Sequence, residues 1–384
     1  MIRLPGLIDP HVHLRDPGDP HKEDFDSGTA AALAGGFTTV LAMPNTRPPL
    51  TDGATLAAAQ SAGRVRARCD YGLFLGGGAD NAADAAALAP QAVGLKLYLD
   101  QTFGPLRLDD LASVRSHFAA WPRTRPLAAH AEGRSLAFVI LLAHLYHRPL
   151  HVCHVSQREE ILLIRSARER GLAVTCEATP HHLFLSQDDV PALGARRAEV
   201  RPRLAAPSDR QALWDNLSVI DCFATDHAPH TADEKDNESP PPGFPGLETA
   251  VGLLWQAVGD GRLTIDSLVA RMHANPRRIF GLTEQPESWI EVDPQASWEV
   301  HADQFHSRCG WTPFEGWKLP ARVRRVTLRG SPAFEDGRVL AAPGSGTDLR
   351  AQNFPEAFTP RPSLKSRWRA RGQASGKLHK GGNP

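Results

Sequence analysis

Short apolar runs rich in β-branched residues alternate with stretches of helical spacing, and this alternation limits the fold more than any other feature of the chain. The predicted strands are Leu4–Ile8, Phe37–Met43, Tyr71–Leu75, Val93–Leu99, Leu127–Ala129, Leu150–Val152, Ala173–Cys176 and Ile220–Ala224. The predicted helical stretches include Ser27–Ala34, Leu136–His147, Glu159–Arg170 and Arg210–Leu217. Such repeats predict parallel strands joined by crossover helices. A doubly wound sheet has the same alternation, so the repeats alone do not identify the fold.

Polar and ionisable residues lie at or just past the C-terminal ends of these strands. They are His11, His13, Asn45, Lys96, His130, His154, Glu177 and Asp226. In a closed barrel the strand ends meet at one mouth, whereas in an open sheet they lie along a line. We therefore predict an α/β fold, a (β/α)8 TIM-like barrel of the metal-dependent hydrolase type.

The alternation stops near Leu282. Residues 284–345 contain short strand-like runs, Trp289–Val292 and Val323–Leu328, and a turn at Asp336–Gly337. We predict a barrel over residues 1–283, a small C-terminal β appendage over 284–345, and a disordered basic tail or linker over 346–384. Because only ten residues precede His11, the appendage is expected to come almost wholly from residues 284–345.

Charge and cysteine content narrow the class of protein. Basic and acidic residues number 43 each, but residues 361–384 hold seven basic residues and no acidic one, which leaves a net charge of −7 on the first 360. That sign argues against a nucleic-acid-binding face. Five scattered cysteines predict a reducing compartment, and no apolar run approaches the ~18 residues of a membrane span. We expect a cytoplasmic protein that binds neither nucleic acid nor membrane.

The pair His11-Val12-His13 at the end of the first predicted strand is the sharpest local signal. Side chains two apart on a strand point to the same side, so both imidazoles can reach one metal ion. His130, His154 and Asp226 end further strands, and zinc prefers this mixture of nitrogen and oxygen ligands. The alternative is a set of core or surface histidines.

Lys96 lies between apolar neighbours in Gly94–Tyr98, where burial of an ammonium ion is unfavourable. Two neighbouring zinc ions need a bridging anion, and no Asp or Glu occupies that strand end. A lysine carboxylated by carbon dioxide supplies such an anion. The alternative is a structural lysine that extends its ammonium group to the barrel mouth.

Six motifs in order resemble those of the dihydroorotases, which are zinc-dependent cyclic amidohydrolases. They are HVHLRDPG from His11, MPNT from Met43, GLKLY from Gly94, AHAE around His130, Cys153-His154, and ATDHAPH from Ala224. The resemblance extends over roughly residues 3–345 and is greatest to the animal multifunctional pyrimidine-synthesis proteins. It implies reversible cyclisation of N-carbamoyl-L-aspartate to L-dihydroorotate.

The resemblance also implies the metal ligands. His11, His13, Lys96 and Asp226 would hold one zinc ion, while carboxylated Lys96, His130 and His154 would hold a second. Asp226 would in addition move the catalytic proton between the attacking water and the leaving nitrogen. A third zinc is expected on Cys153 and Glu177, although a small buried hydrophobe is the alternative for Cys153.

Substrate contacts are implied in the same way. Arg15, Asn45 and His230 match carboxylate-binding positions, and a guanidinium suits such a group. Arg201 and the Pro242-Gly243 loop match other substrate-contacting positions. Asp100–Gly104 matches a mobile loop whose Thr102 and Phe103 would close over the substrate, with ordinary packing as the alternative for Phe103.

Two other functions remain open. An allantoinase or hydantoinase would share the barrel and metals, but Asn45-Thr46 and Arg15 favour a dihydroorotase. An inactive homologue acting as a scaffold would typically lack metal ligands, which are intact here. The resemblance further implies a homodimer and, if the chain is a fragment of a longer polypeptide, aspartate transcarbamoylase as the neighbouring module.

Overall fold

The computed structural model describes residues 1–350, and their central feature is a parallel barrel. A first strand, β1 (Ile2–Pro5), lies outside it. The barrel strands follow in chain order: β2 (Leu7–Val12), β3 (Phe37–Ala42), β4 (Asp70–Gly76), β5 (Gly94–Tyr98), β6 (Leu127–His130), β7 (Leu150–Val152), β8 (Val174–Ala178) and β9 (Cys222–Phe223). A parallel bridge between Val12 and His227 closes the ring. The predicted (β/α)8 barrel is confirmed.

Helices cover the outside of the barrel, so its strands are buried on both faces. They are α1 (Phe25–Ala34), α2 (Gly53–Arg66), α3 (Ala82–Leu88), α4 (Leu111–Ala120), α5 (Arg134–Tyr146), α6 (Arg158–Glu169), α7 (Pro180–Phe184), α8 (Val190–Leu193), α9 (Pro207–Asp215), α10 (Ala232–Asp236), α11 (Leu247–Gly259), α12 (Ile265–Val269) and α13 (Asn275–Phe280). Helix α1 begins where the Asp24 side chain accepts a hydrogen bond from the Ser27 amide, at 2.8 Å. Within residues 1–350, no helix is both long and apolar enough to cross a membrane.

The first strand differs from the prediction. The run Leu4–Ile8 is divided at Gly6, so residues 2–5 and 7–12 join different sheets. A Cβ atom at residue 6 would lie 2.3 Å from the Thr38 hydroxyl oxygen, so only glycine allows this close passage. As a consequence, His11 lies within β2 and not beyond it.

The appendage is an antiparallel sheet. The remaining strands are β10 (Trp289–Asp293), β11 (Trp298–Glu299), β12 (Lys318–Leu319), β13 (Arg322–Leu328), β14 (Ser331–Glu335) and β15 (Arg338–Val339). The sheet order is β1-β10-β13-β14-β15, so the N-terminal strand forms one edge. The expectation that residues 284–345 supply almost all of the appendage was therefore wrong by one strand. Asp336 and Gly337 form the predicted turn, and both have positive φ, as a two-residue hairpin requires.

The segment that follows the appendage packs on the barrel. Tyr71 donates its amide to the Thr347 carbonyl at 3.0 Å, and Leu349 donates to the Tyr71 carbonyl at 2.8 Å. Leu349 and Arg350 are buried. The expectation of a tail beginning at 346 is therefore wrong for residues 346–350. Leu349 buries its apolar side chain instead of exposing it to solvent. The rest of the predicted tail, 351–384, lies outside the described residues.

Candidate metal centre and active site

The polar residues predicted at the strand ends lie together at the C-terminal mouth of the barrel. His11 lies in β2, Lys96 in β5, and His130 ends β6. His154 and Asp226 follow β7 and β9 by two and three residues. All five side chains are buried.

Asp226 faces two imidazoles. Its Oδ1 atom lies 3.2 Å from Nε2 of His11 and 3.1 Å from Nε2 of His13. The other nitrogen of each ring already faces an acceptor: Nδ1 of His11 lies 2.5 Å from Oε1 of Glu177, and Nδ1 of His13 lies 2.6 Å from Oδ1 of Asn45. In the neutral tautomers that satisfy these acceptors, both Nε2 lone pairs point towards a carboxylate oxygen. A cation fits this arrangement.

The burial of these side chains also favours a bound cation. Loss of solvation lowers the pKa of His13 to about 4, against the opposing effect of Asp226, so the imidazole is neutral near pH 7. Burial alone would raise the pKa of Asp226, but His11, His13 and His154 hold it well below its usual range. Neutral imidazoles and an ionised carboxylate are the forms in which these residues bind metals.

A second pair of imidazoles lies across the mouth. Nδ1 of His130 lies 3.0 Å from Nε2 of His154, with the ring centroids 4.6 Å apart. Burial is the main cause that lowers the pKa of both residues. Nδ1 of His154 has no hydrogen-bond partner among residues 1–350, while Nε2 of His130 lies 3.4 Å from Oε1 of Glu132. Two facing nitrogens on neutral rings are suited to share one cation.

Lys96 is fully buried between the two groups of ligands. Its Nζ atom donates to Sγ of Cys153 at 2.9 Å and lies 5.2 Å from the centroid of the Tyr98 ring. Within the described part of the chain, no carboxylate forms an ion pair with it. A thiol and an aromatic face compensate a buried ammonium ion poorly.

Glu177 joins this centre from β8. Its Oε2 atom lies 3.0 Å from Nε2 of His151, while Oε1 contacts His11. His11, Cys153 and Glu177 bring one ligand atom each to within 4.8 Å of one another. Cys153 therefore lies beside His11 and Glu177 at this centre.

Three site residues have left-handed backbones. The φ angles are 58° at Arg15, 34° at His154 and 46° at Asp226. For residues with a Cβ atom such conformations cost about 1–3 kcal/mol each and are concentrated at functional sites. The surrounding packing therefore holds these three side chains against local preference.

Arg15 and His230 form a basic pocket beside the candidate metal ligands. Nη2 of Arg15 lies 3.0 Å from Nε2 of His230, and Nε of Arg15 donates to the Pro229 carbonyl at 3.1 Å. Burial lowers the pKa of Arg15 to about 10, which leaves it charged at neutral pH. Its Nη1 atom is buried without a partner in residues 1–350. A carboxylate would complete this guanidinium.

The loop predicted to be mobile covers this pocket. Phe103 is half-buried, and its ring lies 5.0 Å from the Arg15 guanidinium, 4.6 Å from Lys22 Nζ and 4.8 Å from the His230 ring centroid. Its carbonyl accepts a hydrogen bond from Asn45 Nδ2 at 3.0 Å. Thr102 is half-buried beside it. Asn45 thus connects the loop to His13.

The remaining predicted substrate residues lie in two different places. The carbonyl oxygen of Pro242 lies 3.2 Å from Nε2 of His230, and Gly243 follows it, so this segment borders the basic pocket. Arg201 instead forms an ion pair with Glu199 and lines a cavity of about 460 Å³ with Glu132 and with Gln101 of the predicted mobile loop.

Several residues with roles at the mouth were missed from the sequence. Asp9, Lys22, His151 and Lys235 are all buried. His151 and Asp9 could have been found, because each is two residues from a predicted ligand and alternation places it on the same side of the strand. Lys22 and Lys235 lie in loops or short helices, where no local pattern indicates burial.

The geometry agrees with comparisons to known proteins. Residues 2–286 match the amidohydrolase family. The chain is 35% identical over 360 residues to a dihydroorotase of Pyrococcus furiosus, covering 89% of this chain and 84% of that protein. It is 51% identical over 363 residues to the multifunctional protein CAD of Squalus acanthias, covering 94% of this chain but only 16% of that protein.

Solved structures show the same architecture. An L-hydantoinase (dihydropyrimidinase) from Arthrobacter aurescens superimposes with a TM-score of 0.86 at 24% identity, covering 91% of this chain and 88% of that chain. That level of identity shows the fold alone. The inactive dihydroorotase-like domain of a CAD-like multifunctional protein from Chaetomium thermophilum gives a TM-score of 0.78 at 31% identity, covering 91% and 99%.

The chain belongs to the amidohydrolase family, a family of metal-dependent hydrolases. Within that family it groups with the dihydroorotases, both free-standing and as part of multifunctional proteins.

Proposed function

We propose that this chain is a dihydroorotase that interconverts L-dihydroorotate and N-carbamoyl-L-aspartate in pyrimidine biosynthesis. The observation that carries the proposal is the convergence of two kinds of group at one mouth. The imidazole lone pairs of His11 and His13 face Asp226, and the buried Arg15–His230 pocket lies beside them. A substrate that is a cyclic amide with a carboxylate needs both the metal site and the basic pocket.

His11, His13 and Asp226 would hold one zinc ion, and His130 with His154 a second. Lys96 would join the two as a carbamate, because carboxylation replaces a poorly compensated buried ammonium ion with an anion among cations. Zinc in such a site makes water a nucleophile at neutral pH and polarises a carbonyl oxygen.

The chain's own residues would carry out proton transfer, substrate binding and closure of the site. Asp226 would accept a proton from the attacking water and donate it to the ring nitrogen as the amide C–N bond breaks. Arg15 would bind the substrate carboxylate through its guanidinium, with Asn45 and His230 completing the pocket. Phe103 and Thr102 would close over the bound ring and exclude water.

A third zinc ion would lie on Cys153 and Glu177. The proximity of their ligand atoms supports it. The competing role for Glu177 is to orient His11 through their 2.5 Å contact, as carboxylates commonly do for ligating histidines.

The wider assignments stay predictions. The chain spans about a sixth of the length of the multifunctional relatives that it matches, so aspartate transcarbamoylase as a neighbouring module is a proposal from their names and from the sequence resemblance. Homodimerisation, a cytoplasmic location and substrate contact by Arg201 are proposals of the same kind.

Two alternatives are weaker. A hydantoinase or allantoinase shares the barrel, but the Arg15–His230 pocket suits a substrate carboxylate, and the sequence identity to dihydroorotases is higher than that to the superimposed hydantoinase. An inactive scaffold has no need for the neutral imidazole and the ionised carboxylate that His13 and Asp226 retain.

The test is turnover of the zinc-loaded protein on L-dihydroorotate, hydantoin and allantoin in parallel. We expect ring opening of dihydroorotate alone. Turnover of hydantoin or allantoin instead would retain the metal site and remove the substrate assignment. Zinc binding without turnover of any of the three would favour the scaffold.

A further inference from the structure

Lys235 is a buried cation that the mechanism above does not use. It lies in α10, a short helix that begins at the Thr231–Glu234 capping box. The side chain is fully buried. Phe244 and Trp311 cover it, with ring centroids 5.7 Å and 5.4 Å from Nζ.

The ammonium group is surrounded by backbone carbonyl oxygens. Nζ donates to the carbonyls of Glu199 at 2.6 Å, Pro241 at 3.0 Å and Gly243 at 3.3 Å. An ammonium ion has three N–H groups, so this set of acceptors matches its donors in number. Burial lowers the pKa of Lys235 to about 7, against the opposing charge of Glu199, and carbonyls that accept hydrogen bonds from the charged form favour that form.

These contacts fix a segment that borders the basic pocket. The Gly243 amide donates to the Glu199 carbonyl at 3.1 Å, and the Phe244 carbonyl accepts from the Ala228 amide at 2.8 Å. The carbonyl of Pro242, which directly precedes Gly243, lies 3.2 Å from Nε2 of His230.

Glycine is required at residue 243 of this segment. Its φ is +149°, and a Cβ atom there would lie 2.4 Å from the Ala228 carbonyl oxygen and 3.2 Å from Cδ2 of His230. The segment therefore approaches the His230 ring closely, and a small displacement of it would alter the pocket.

Lys235 does not touch the pocket itself. Trp311, which covers it, donates its indole N–H to the His230 carbonyl at 2.8 Å. Pro242 thus contacts the side chain of His230, and Trp311 contacts its backbone. Lys235 in turn contacts Trp311 and the residues on either side of Pro242. Its effect on the shape of the pocket passes through these neighbours, while its charge also helps to lower the pKa of His230.

We propose that Lys235 is a positioning residue whose ammonium ion holds Pro241–Gly243 against Glu199 and so shapes the substrate-carboxylate pocket around His230. The inference deepens the proposed function and rests on it. It assigns to Lys235 a role in substrate affinity and none in proton transfer or metal binding.

The test compares Lys235→Met with the native protein and with Lys318→Met, which removes an exposed lysine of β12. Methionine keeps the length of the side chain but donates no hydrogen bond. We expect the KM for dihydroorotate to rise about tenfold with kcat within about threefold, because an interaction common to bound substrate and transition state is weakened. Bound zinc and the kinetics of Lys318→Met should be unchanged.

A purely structural role predicts a different result. A destabilised protein would contain less active enzyme, so kcat would fall while KM stayed constant. That outcome, or native values of both constants, would overturn the proposal. If Lys235→Met yields no folded protein, Lys235→Arg replaces it: a planar guanidinium cannot direct three N–H groups from one nitrogen, so KM should still rise about threefold or more, and a native KM would overturn the proposal.

Hydrogen exchange separates this proposal from the proposed function. The amides of Gly243 and Phe244, which follow the prolines of this segment, should exchange at least about tenfold faster in the Lys235 variant than in the native protein, since their local opening becomes easier. This measurement needs no substrate. If the native protein fails to open dihydroorotate, the activity assignment fails, and unchanged exchange at Gly243 and Phe244 is then the result that rejects the role of Lys235.

Discussion

At the mouth of the barrel, the roles of Lys96 and Asp226 follow from the burial of their polar groups. Lys96 has a thiol as its hydrogen-bond partner, and Asp226 has two imidazole nitrogens within 3.2 Å. A buried ammonium ion without a counterion is unfavourable, and a carboxylate facing two imidazole nitrogens favours a shared cation. Both residues are therefore best explained by metal binding.

Replacement of Lys96 by alanine should remove metal and activity together. The variant loses the anion proposed to bridge the metals, so zinc content should fall by at least one ion per chain and turnover by more than about 10³-fold. Zinc is measured by elemental analysis after gel filtration, with Lys318→Ala as the control. Full zinc occupancy in Lys96→Ala would exclude the bridging role.

Asp226→Asn should separate metal binding from catalysis. Asparagine retains an oxygen ligand but cannot accept a proton at neutral pH, so some zinc should remain while kcat falls about 10²–10⁴-fold. Parallel measurement of zinc content and turnover checks this. Turnover close to the native rate would assign proton transfer to another group.

The first and last barrel strands meet through one aspartate. Asp9, in β2, is fully buried and accepts hydrogen bonds from the Thr225 hydroxyl at 2.5 Å and from the amides of Thr225 and His11 at 3.1 Å each. Strand β9 has only two residues, so the ladder contributes little to closure there. The carboxylate replaces backbone pairing at this join.

Asp9→Ala should therefore destabilise the barrel. Buried donors that lose their acceptor cost about 1–3 kcal/mol, and we expect the free energy of unfolding to fall by about that amount in urea denaturation. The exposed Asp80→Ala serves as the matched control and should remain within about 0.5 kcal/mol of the native value. Equal stability of the two variants would contradict the closing role.

The molecule as a whole gathers its site from seven of the eight barrel strands and the loops that follow them. His11 and Asp226 are 215 positions apart in the chain, yet their side chains lie 3.2 Å apart. A metal bound between them links the two strands that close the barrel. Metal binding should therefore stabilise the entire fold, because the unfolded chain has no preformed site.

Removal of metal should lower thermal stability as well as activity. Ligand at 100–1,000 times its dissociation constant stabilises by about 3–4 kcal/mol, so treatment with a chelator such as dipicolinate should lower Tm by about 5–15 °C. Turnover should be lost and both properties should return when zinc is added. An unchanged Tm after complete removal of zinc would mean that the strand ends are held without it.

The sequence by itself determined the barrel, the turn at Asp336–Gly337 and the set of candidate ligands, because periodicity and the position of polar residues at strand ends are local properties. Only the tertiary structure divided Leu4–Ile8 at Gly6, placed β1 in the appendage and packed residues 346–350 on the barrel. It alone revealed Lys22 and Lys235, whose burial depends on what other segments cover them. Local pattern specifies which way a side chain points from its own element. What it meets there is decided by distant parts of the chain.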